Sequence, residues 1–360
     1  MSVRFGVVVL SMLALAGCDR RESAPEPRPA EQAPPLAVKP AAPSKTLKAV
    51  KARGELRCGV NPGLPGFAFR DNGGHWRGFN VDFCRALAAA VLGKPDKVTF
   101  VPLGNEERIT ALRTGKVDVL WRNTSWTFSR DTGDQLDMAA ISYFDGQGFM
   151  VRRGLNLTSA VELNTAKICV QSGATSAQNL EDFFRARGIA YTAMAFDSEE
   201  QARAAYQADR CDAVSADISA LAAARSVLND PGAHVILPDA ISKEPLGPLV
   251  RQDDPAWTDI VRWTFYALVL AEEHGVTKAN AKDMKTGADP EARRLLGEGG
   301  FGAMLGLDAD WAYRAIIAGG SYGEIFDREI GGGSALKLDR GLNALWNAPK
   351  PGLLYAPPLR

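Results

Sequence analysis

The chain has 360 residues, in which 42 lysines and arginines balance 42 aspartates and glutamates, and 46% of the residues are hydrophobic. A net charge of zero argues against nucleic acid as a partner, because binding to a phosphate backbone draws on an excess of basic residues. The hydrophobic share is that of an ordinary soluble globular protein, and the length allows two cores.

The first 17 residues have the pattern of an export signal. A short basic segment ending at Arg4 precedes an uncharged apolar run over residues 5–16, which is too short to span a bilayer. Leu15-Ala16-Gly17-Cys18 resembles the lipobox of bacterial lipoproteins, which implies cleavage before Cys18 and lipidation of its sulfur. An ordinary secretory signal followed by a chance cysteine is the alternative. We expect an exported protein whose only membrane anchor is the acyl chains on Cys18.

Residues 18–45 are expected to be a tether. Seven prolines occur here among alanine, glutamate and glutamine, with hardly any large apolar side chain. Such a segment cannot bury enough surface to fold and tends toward extended conformations.

The remaining chain predicts two successive βαβαβ halves. In the first half we expect strands over 55–60, 98–102 and 117–120 and helices over 81–92 and 105–114. In the second half we expect strands over 167–170, 190–196 and 212–215 and helices over 177–186 and 198–208. A strand near 235–237 follows, and an amphipathic helix over 254–274 is best placed back on the first lobe. The pattern predicts a two-lobed α/β protein with mainly parallel sheets.

Four cysteines follow Cys18, an even number that suits an oxidising compartment. Three connectivities are possible, and the spacing favours Cys58 with Cys84 and Cys169 with Cys211, one pair in each half. A metal site is not expected, because no C-x-x-C occurs and the three histidines are far apart in sequence.

Residues 121–131 form a polar loop that ends in one cation. It follows the strand over 117–120 and contains hydroxyl and amide side chains before Arg130. A guanidinium offers a planar set of donors that fits a carboxylate. The loop is therefore a candidate site for a small anion, although a solvated Arg-Asp pair would explain the local sequence as well.

An ordered set of motifs resembles the family 3 extracellular solute-binding proteins of amino-acid ABC transporters. The motifs include L-K-A-V-K-A-R-G-E-L-R-C-G-V over 47–60, G-F-N-V-D-F-C-R-A-L-A over 78–88 and R-I-T-A-L-R-T-G-K-V-D-V over 108–119. The segments over 310–313, 322–327 and 340–347 look closest to the general L-amino-acid-binding branch. The resemblance implies a type II periplasmic-binding-protein fold, in which two hinged lobes close over one amino acid and then dock on a membrane permease.

The export signal, the proline-rich segment and the resemblance together divide the chain. We expect the signal peptide over 1–17, the lipidated cysteine and tether over 18–45, lobe 1 over 46–150, lobe 2 over 151–248, a return to lobe 1 over 249–345 and a tail over 346–360. Hinges are expected near 150–153 and 248–251.

The ligand-binding residues are carried over position by position. By resemblance, Arg130 would bind the α-carboxylate, and Thr175 at the start of a helix would assist it. Asp217 would accept the α-ammonium, and Asn123 and Ser125 would bind the ligand's main-chain groups. Helix capping is the alternative role for Thr175 and Asp217.

The first loop departs from the family. Many relatives have an aromatic ring near position 64, whereas this chain has Leu64, and Phe67 follows among glycines. We expect Leu64 and Phe67 to form a looser apolar wall, and hence a site tolerant of different side chains. Trp121 and Trp126 could supply rings, although tryptophans so close to a strand more often serve packing.

The sequence predicts a binding protein rather than an enzyme. No Ser/His/Asp or Cys/His constellation stands out, and no cofactor is expected. The expected partners are an L-amino acid and an inner-membrane ABC permease, and the expected location is the periplasm. The alternatives are a periplasmic arogenate or prephenate dehydratase and a membrane-anchored amino-acid sensor.

Overall fold

Two five-stranded sheets organise the chain, each at the centre of one lobe. A computed structural model describes Ser2 and residues 42–360. The expected signal segment, the cysteine at position 18 that is expected to be lipidated, and the proline-rich segment as far as residue 41 lie outside the described residues. No helix of the described part is long and apolar enough to cross a membrane.

We number the described elements in chain order. The strands are β1 (Leu56–Val60), β2 (Phe69–Arg70), β3 (Trp76–Arg77), β4 (Val98–Pro102), β5 (Val119–Leu120), β6 (Leu136–Met138), β7 (Tyr143–Asp145), β8 (Gln147–Arg152), β9 (Ala166–Gln171), β10 (Tyr191–Phe196), β11 (Ala213–Asp217), β12 (His234–Ile236), β13 (Glu244–Leu246) and β14 (Leu249–Arg251). The α-helices are α1 (Lys45–Arg53), α2 (Phe79–Leu92), α3 (Arg108–Arg113), α4 (Ser176–Arg185), α5 (Glu199–Gln207), α6 (Ile218–Ser226), α7 (Pro255–Glu273), α8 (Ala281–Met284), α9 (Pro290–Leu295), α10 (Trp311–Gly319) and α11 (Tyr322–Glu329).

Both sheets are mixed, not mainly parallel as the sequence predicted. The first has the order β4-β1-β5-β14-β6 and the second the order β10-β9-β11-β8-β12. In each sheet the strands of the βαβαβ half are parallel, as expected. The other strands, β14 and β6 in the first sheet and β8 and β12 in the second, pair antiparallel. Strand β8 enters its sheet directly from the first lobe without a crossover helix, so the parallel rule for helix-connected strands does not apply to it.

Two short strands carry the chain between the sheets. Strand β7 lies on the path from the first sheet to the second, β13 lies on the path back, and the two pair antiparallel with Glu244 opposite Asp145. The segments expected to be hinges do not coincide with these crossings. Residues 150–152 belong to β8 in the second sheet, and residues 249–251 form β14 in the first. The crossings therefore fall a few residues before the positions expected from the sequence.

Helix α7 returns to the first lobe, as its amphipathic pattern predicted. The Asp254 side chain accepts a hydrogen bond from the Trp257 backbone N–H at 3.2 Å, and Pro255 occupies the first helical turn. Trp257 is buried, and its indole N–H donates to the Asp118 carbonyl at 3.0 Å. One apolar face of α7 packs into the largest core of the first lobe, beside α2 and α10.

Both expected disulfides are present, one in each lobe. Cys58 on β1 is bonded to Cys84 on α2, and Cys169 on β9 is bonded to Cys211 just before β11. Each bond therefore joins neighbouring elements of the same lobe.

The C-terminal part of the chain supports the first crossing strand. The buried Asn343 amide accepts a hydrogen bond from the Phe144 N–H at 2.7 Å and donates to the Phe144 carbonyl at 3.1 Å. The Tyr322 hydroxyl donates to the Ser142 carbonyl at 3.0 Å. Residues far along the chain thus satisfy backbone groups in and beside β7 that its partner strand leaves unpaired.

Candidate functional site

A cavity opens between the two lobes, and five of the residues expected at a ligand site line it. Asn123, Ser125 and Arg130 come from the first lobe, and Thr175 and Asp217 come from the second. The other lining residues are Asn105, Arg108, Gln171, Ala174, Ser176, Glu199, Ser215 and Ala216. The arrangement places two cations, several hydroxyl groups and two carboxylates around one small space.

Arg130 stands in a single π-helical turn, Ser129–Gly133, at the end of the polar loop. Its guanidinium donates to the Ser125 carbonyl at 2.7 Å, which fixes its direction and leaves other donors of the fork for a ligand. Burial lowers the pKa of Arg130, and the Glu244 carboxylate nearby opposes that shift. The group remains a cation at neutral pH, because free guanidinium has a pKa above 12.

Thr175 and Asp217 each precede a helix, yet neither side chain caps it. Thr175 at the start of α4 makes no capping hydrogen bond, and its hydroxyl donates to Glu244 Oε2 at 3.2 Å. Asp217 at the start of α6 likewise makes no capping hydrogen bond. Burial raises the pKa of Asp217 well above its usual range, and the acidic groups of Asp145, Glu244 and Glu199 add to the shift. Burial and like charges destabilise the ionised form of this carboxylate, and a cation bound beside it would stabilise that form.

Ser125 and Asn123 hold the polar loop in place. The buried Ser125 hydroxyl donates to the Glu244 carboxylate, and the Ser125 backbone forms an isolated antiparallel β-bridge with Leu246 of β13. The Asn123 side-chain oxygen accepts from Asn80 Nδ2 at 3.0 Å. The loop is thereby attached both to helix α2 and to the crossing strand β13.

The sequence did not reveal the role of Glu244. This buried residue opens β13 and accepts from Ser125 of the first lobe, from Thr175 and Asn179 of the second, and from Ser242. The Asn179 and Ser242 contacts measure 2.8 and 2.7 Å. One carboxylate thus gathers donors from both lobes. Only its position before the Pro-Leu-Gly-Pro segment could have indicated that it lies at a crossing.

Asp145, the residue opposite Glu244, is the second acid of the crossing. Its carboxylate accepts from the backbone N–H groups of Gly146 at 2.9 Å and Ser219 at 3.3 Å, so it caps helix α6. Burial raises the pKa of Asp145 to about 6, although these hydrogen bonds oppose the shift.

Three further charged residues of the cleft were also missed. Arg108 and Arg122 are each only 3% exposed, and the Nε atom of each has no hydrogen-bond partner within residues 42–360. Burial lowers the pKa of Arg122 to about 10, and burial raises the pKa of Glu199. Charged residues at helix starts and strand ends are usually solvated, so the sequence pattern predicted neither the burial of the two arginines nor the partial burial of Glu199.

Leu64 and Phe67 differ in their surroundings. Leu64 lines a second cavity between the lobes together with Ala220 and Leu221 of α6. Phe67 does not line either cavity, because its ring packs edge-on against Phe79 and Tyr143 in the first-lobe core. Of the two residues expected to form an apolar wall, only Leu64 lines a cavity, and that cavity is not the one lined by Arg130.

The two tryptophans of the polar loop differ in their burial. Trp121 is fully buried and stacks on Phe83, with ring centroids 5.0 Å apart, whereas Trp126 is 42% exposed. Trp121 is therefore a packing residue, as the more common role of such a tryptophan suggested. The described residues contain no group of three or more His, Cys, Asp or Glu side chains arranged to hold a metal ion.

Comparison with known proteins identifies the family. The model of the bacterial extracellular solute-binding proteins, family 3, matches residues 56–275. The chain is 52% identical over 323 residues to the general L-amino acid-binding periplasmic protein AapJ of Rhizobium johnstonii, which covers 89% of this chain and 94% of the relative. It is 53% identical over 322 residues to the glutamate/glutamine/aspartate/asparagine-binding protein BztA of Rhodobacter capsulatus, with 89% and 95% covered.

A solved structure extends the match to the fold. An ABC transporter periplasmic binding protein from Brucella ovis with glutathione bound aligns with a TM-score of 0.86 and 52% identity, over 88% of this chain and 99% of that one. The type II periplasmic-binding-protein fold expected from the sequence is thereby confirmed. Together, the sequence match and the structural match show that the chain belongs to the bacterial extracellular solute-binding proteins of family 3.

Proposed function

We propose that this protein binds an L-amino acid between its two lobes and delivers it to the permease of an ABC transporter. One observation carries the proposal. Arg130 and Ser125 from the first lobe and Thr175 and Asp217 from the second line the same cavity. An amino-acid zwitterion presents one carboxylate and one ammonium, and these groups match a cation with hydroxyl donors on one side and an acid on the other.

The charges suggest how binding is coupled to closure. Arg130 would bind the α-carboxylate, with help from Ser125 and Thr175, and Asp217 would accept the ammonium. Because these residues belong to different lobes, a zwitterion reaches all of them only when the lobes are close together. Contacts that exist in one state alone favour that state, so the ligand would stabilise the closed form. Strands β7 and β13 are the natural positions for the hinge, since the chain crosses between the lobes there.

The relatives support a binding protein over an enzyme. AapJ and BztA are both named as amino-acid-binding proteins, and the Brucella structure is a periplasmic binding protein. Nothing in these names supports the dehydratase alternative. The names of AapJ and of the Brucella protein favour a periplasmic location and an ABC transporter, and hence its permease, as the partner.

The membrane anchor is a separate part of the proposal. It depends on the lipobox-like Leu15-Ala16-Gly17-Cys18, which lies outside the described residues. Metabolic labelling with a fatty acid should mark the wild-type protein and leave a Cys18→Ala variant unlabelled. Labelling of neither protein would support an ordinary secretory signal instead.

Calorimetric titration with the twenty L-amino acids and glutathione tests the ligand class. At least one amino acid should bind at micromolar concentration, and Arg130→Ala should lose about 2–5 kcal/mol of binding free energy, because the ligand carboxylate is left desolvated and unpaired. Arg113→Ala, which changes an exposed arginine of α3, is the matched control and should bind as the wild type does. Unchanged affinity in Arg130→Ala would contradict the assignment of Arg130.

Deletion of the gene separates transport from sensing. Loss of amino-acid uptake in the deletion strain supports a transporter component. Normal uptake, with a changed transcriptional response to amino acids, would instead support the anchored sensor.

A further inference from the structure

Two short segments bring the lobes into direct contact beside the cleft. In the first lobe, residues 103–107 connect β4 to α3, and in the second lobe, Ser172 and Gly173 follow β9. The buried Asn105 side chain donates from Nδ2 to the Ser172 carbonyl at 3.1 Å. Gly173 lies so close to the first lobe that a side chain there would collide with the Glu106 carboxylate. Protein atoms alone make this contact.

Arg122 fixes the direction of the Asn105 amide. It follows β5 by two residues and donates from Nη1 to Asn105 Oδ1 at 2.8 Å, and both residues are buried. A guanidinium can only donate and a carbonyl can only accept, so the amide oxygen must face Arg122 and the amide nitrogen must face Ser172. The reversed amide would place donor against donor and acceptor against acceptor.

The acceptor in the second lobe is also held in place. The Ser172 N–H donates to the Phe196 carbonyl at 2.8 Å, and the Ser172 hydroxyl donates to the same carbonyl at 3.0 Å. These bonds attach the end of β9 to the end of β10. Ser172 belongs to the same turn as Thr175, which lines the ligand cavity. The hydrogen bond from Asn105 therefore fixes a ligand-binding turn of the second lobe relative to the first lobe.

Opposite charges face each other across the same contact. Arg108 and Arg122 of the first lobe are attracted by the Glu199 carboxylate of the second, at the start of α5. Arg122 also lines a small cavity with three acids of the second lobe, Asp197, Glu199 and Glu200. Attraction between charges falls with distance, so it is greatest when the lobes are together. The buried arginines thus favour closure.

We infer that Asn105, oriented by Arg122, is a closure latch that joins the two lobes through protein atoms alone. The inference rests on the proposed function and assigns a positioning residue to it. Because the bond from Asn105 to Ser172 needs no ligand, it stabilises the closed form of the free protein as well as that of the complex. Such a latch slows ligand release, and it does so equally for ligands with different side chains.

The distance between the lobes of the free protein tests the latch. Fluorophores attached through Lys94→Cys and Glu181→Cys, two exposed positions on different lobes, report closure by energy transfer in single molecules. The free protein should populate a closed form, which a saturating amino acid enriches. Asn105→Asp keeps the acceptor for Arg122 and loses the donor to Ser172, and it should reduce the closed population of the free protein about fivefold.

An exposed asparagine of the first lobe provides the matched control. Asn72→Asp makes the same change of amide to carboxylate in the loop between β2 and β3 and should leave the closed population unchanged. A wild type that closes only with ligand, or an unchanged closed population in Asn105→Asp, would overturn the inference and leave the proposed function standing. Failure of every amino acid to bind would instead overturn the proposed function.

Ligand kinetics give a second measurement, which a merely structural role would not change in this way. In stopped-flow experiments Asn105→Asp should raise the dissociation rate about fivefold for amino acids with small and large side chains alike, and change the association rate by less than about twofold. Asn105→Ala removes both hydrogen bonds, should behave in the same way, and decides the question if Asn105→Asp does not fold. An effect confined to the association rate would overturn the inference.

Two substitutions of Arg122 test its orienting role. Arg122→Lys can still donate to Asn105, whereas Arg122→Met cannot. We expect the dissociation rate to rise less in Arg122→Lys than in Arg122→Met, and we expect Arg122→Met to add little in a protein that already carries Asn105→Ala. Full additivity of the two substitutions would contradict the assignment of Arg122 as the residue that orients the latch.

Discussion

The Thr175 hydroxyl donates a hydrogen bond to the Glu244 carboxylate across 3.2 Å, although Thr175 stands where a threonine would ordinarily cap its own helix. The donor lies at the start of α4 in the second lobe, and the acceptor opens the crossing strand β13. The Ser125 hydroxyl of the first lobe donates to the same carboxylate. Two of the residues proposed to bind ligand are therefore oriented by an acid that belongs to the connection between the lobes.

Substitution of Glu244 should destabilise the protein without ligand. Glu244→Ala leaves four buried or half-buried donors without their common acceptor, and we expect the free energy of unfolding to fall by about 2–3 kcal/mol. Urea unfolding at pH 7.5 measures the change. Glu181→Ala removes an exposed glutamate of α4 and should change the stability by less than about 0.5 kcal/mol. Similar losses in both variants would mean that the Glu244 contacts contribute nothing specific.

Ligand affinity should increase with pH through the titration of Asp217. Burial and the neighbouring acids raise the pKa of this group, so the free protein keeps a proton there to a higher pH than an ordinary aspartate would. A ligand ammonium requires the ionised form, and binding therefore releases that proton. Calorimetry in two buffers of different ionisation enthalpy should report proton release by the wild type. Asp217→Asn should bind weakly and release none, whereas proton uptake by the wild type would contradict the proposed role.

Asp145 should make the folded state less stable as the pH rises. Its pKa is raised from 3.8 to about 6, so between these values the folded protein keeps a proton that the unfolded chain releases. The folded state binds more protons in this window, and its stability falls with increasing pH. The carboxylate accepts from Gly146 with one oxygen and from Ser219 with the other, and Asp145→Asn, like the protonated acid, keeps one carbonyl oxygen as an acceptor. The variant should therefore match the wild type near pH 4 and exceed it in urea midpoint above pH 6. The exposed substitution Asp96→Asn should leave the pH profile unchanged, and a wild-type profile without the decline in this window would refute the assignment.

The Asn343 amide should protect the first crossing strand. Asn343→Ala removes the acceptor for the Phe144 N–H and the donor to the Phe144 carbonyl. We therefore expect a loss of about 2–3 kcal/mol in unfolding free energy and faster hydrogen exchange at the Phe144 amide. Asn347→Ala changes an exposed asparagine four residues later and serves as the matched control. Unaltered exchange at Phe144 in the Asn343 variant would show that the strand is held by other contacts.

Local pattern was enough to predict the regular elements but not the crossings. The strand expected over 98–102 is β4 with the same bounds, and the helix expected over 254–274 is α7 over Pro255–Glu273. These segments are long enough for hydrophobic periodicity to show. Strands β7 and β13 have three residues each, too few for a period, and they are strands because they pair with each other.

The residues of the candidate site that belong to a family motif could be predicted from the sequence. Those that are distinguished by their burial could not. Arg130, Thr175 and Asp217 were found by resemblance, and they do line one cavity. Phe67 was placed there wrongly, because the turn after Leu64 directs its ring into the core. Arg108 and Glu244 were missed, since no local pattern tells a charged residue that faces a closed cleft from one that faces water.

The placement of the disulfides affects the order in which the protein can fold. In a chain that emerges N-terminus first, Cys58 and Cys84 are both exposed to oxidant before any of the second lobe has appeared. The first lobe cannot be completed at that stage, because β14 and α7 arrive only after the whole second lobe. A cross-link that closes early between β1 and α2 would hold the first half of that lobe together during the wait and limit its exposure to proteases and aggregation.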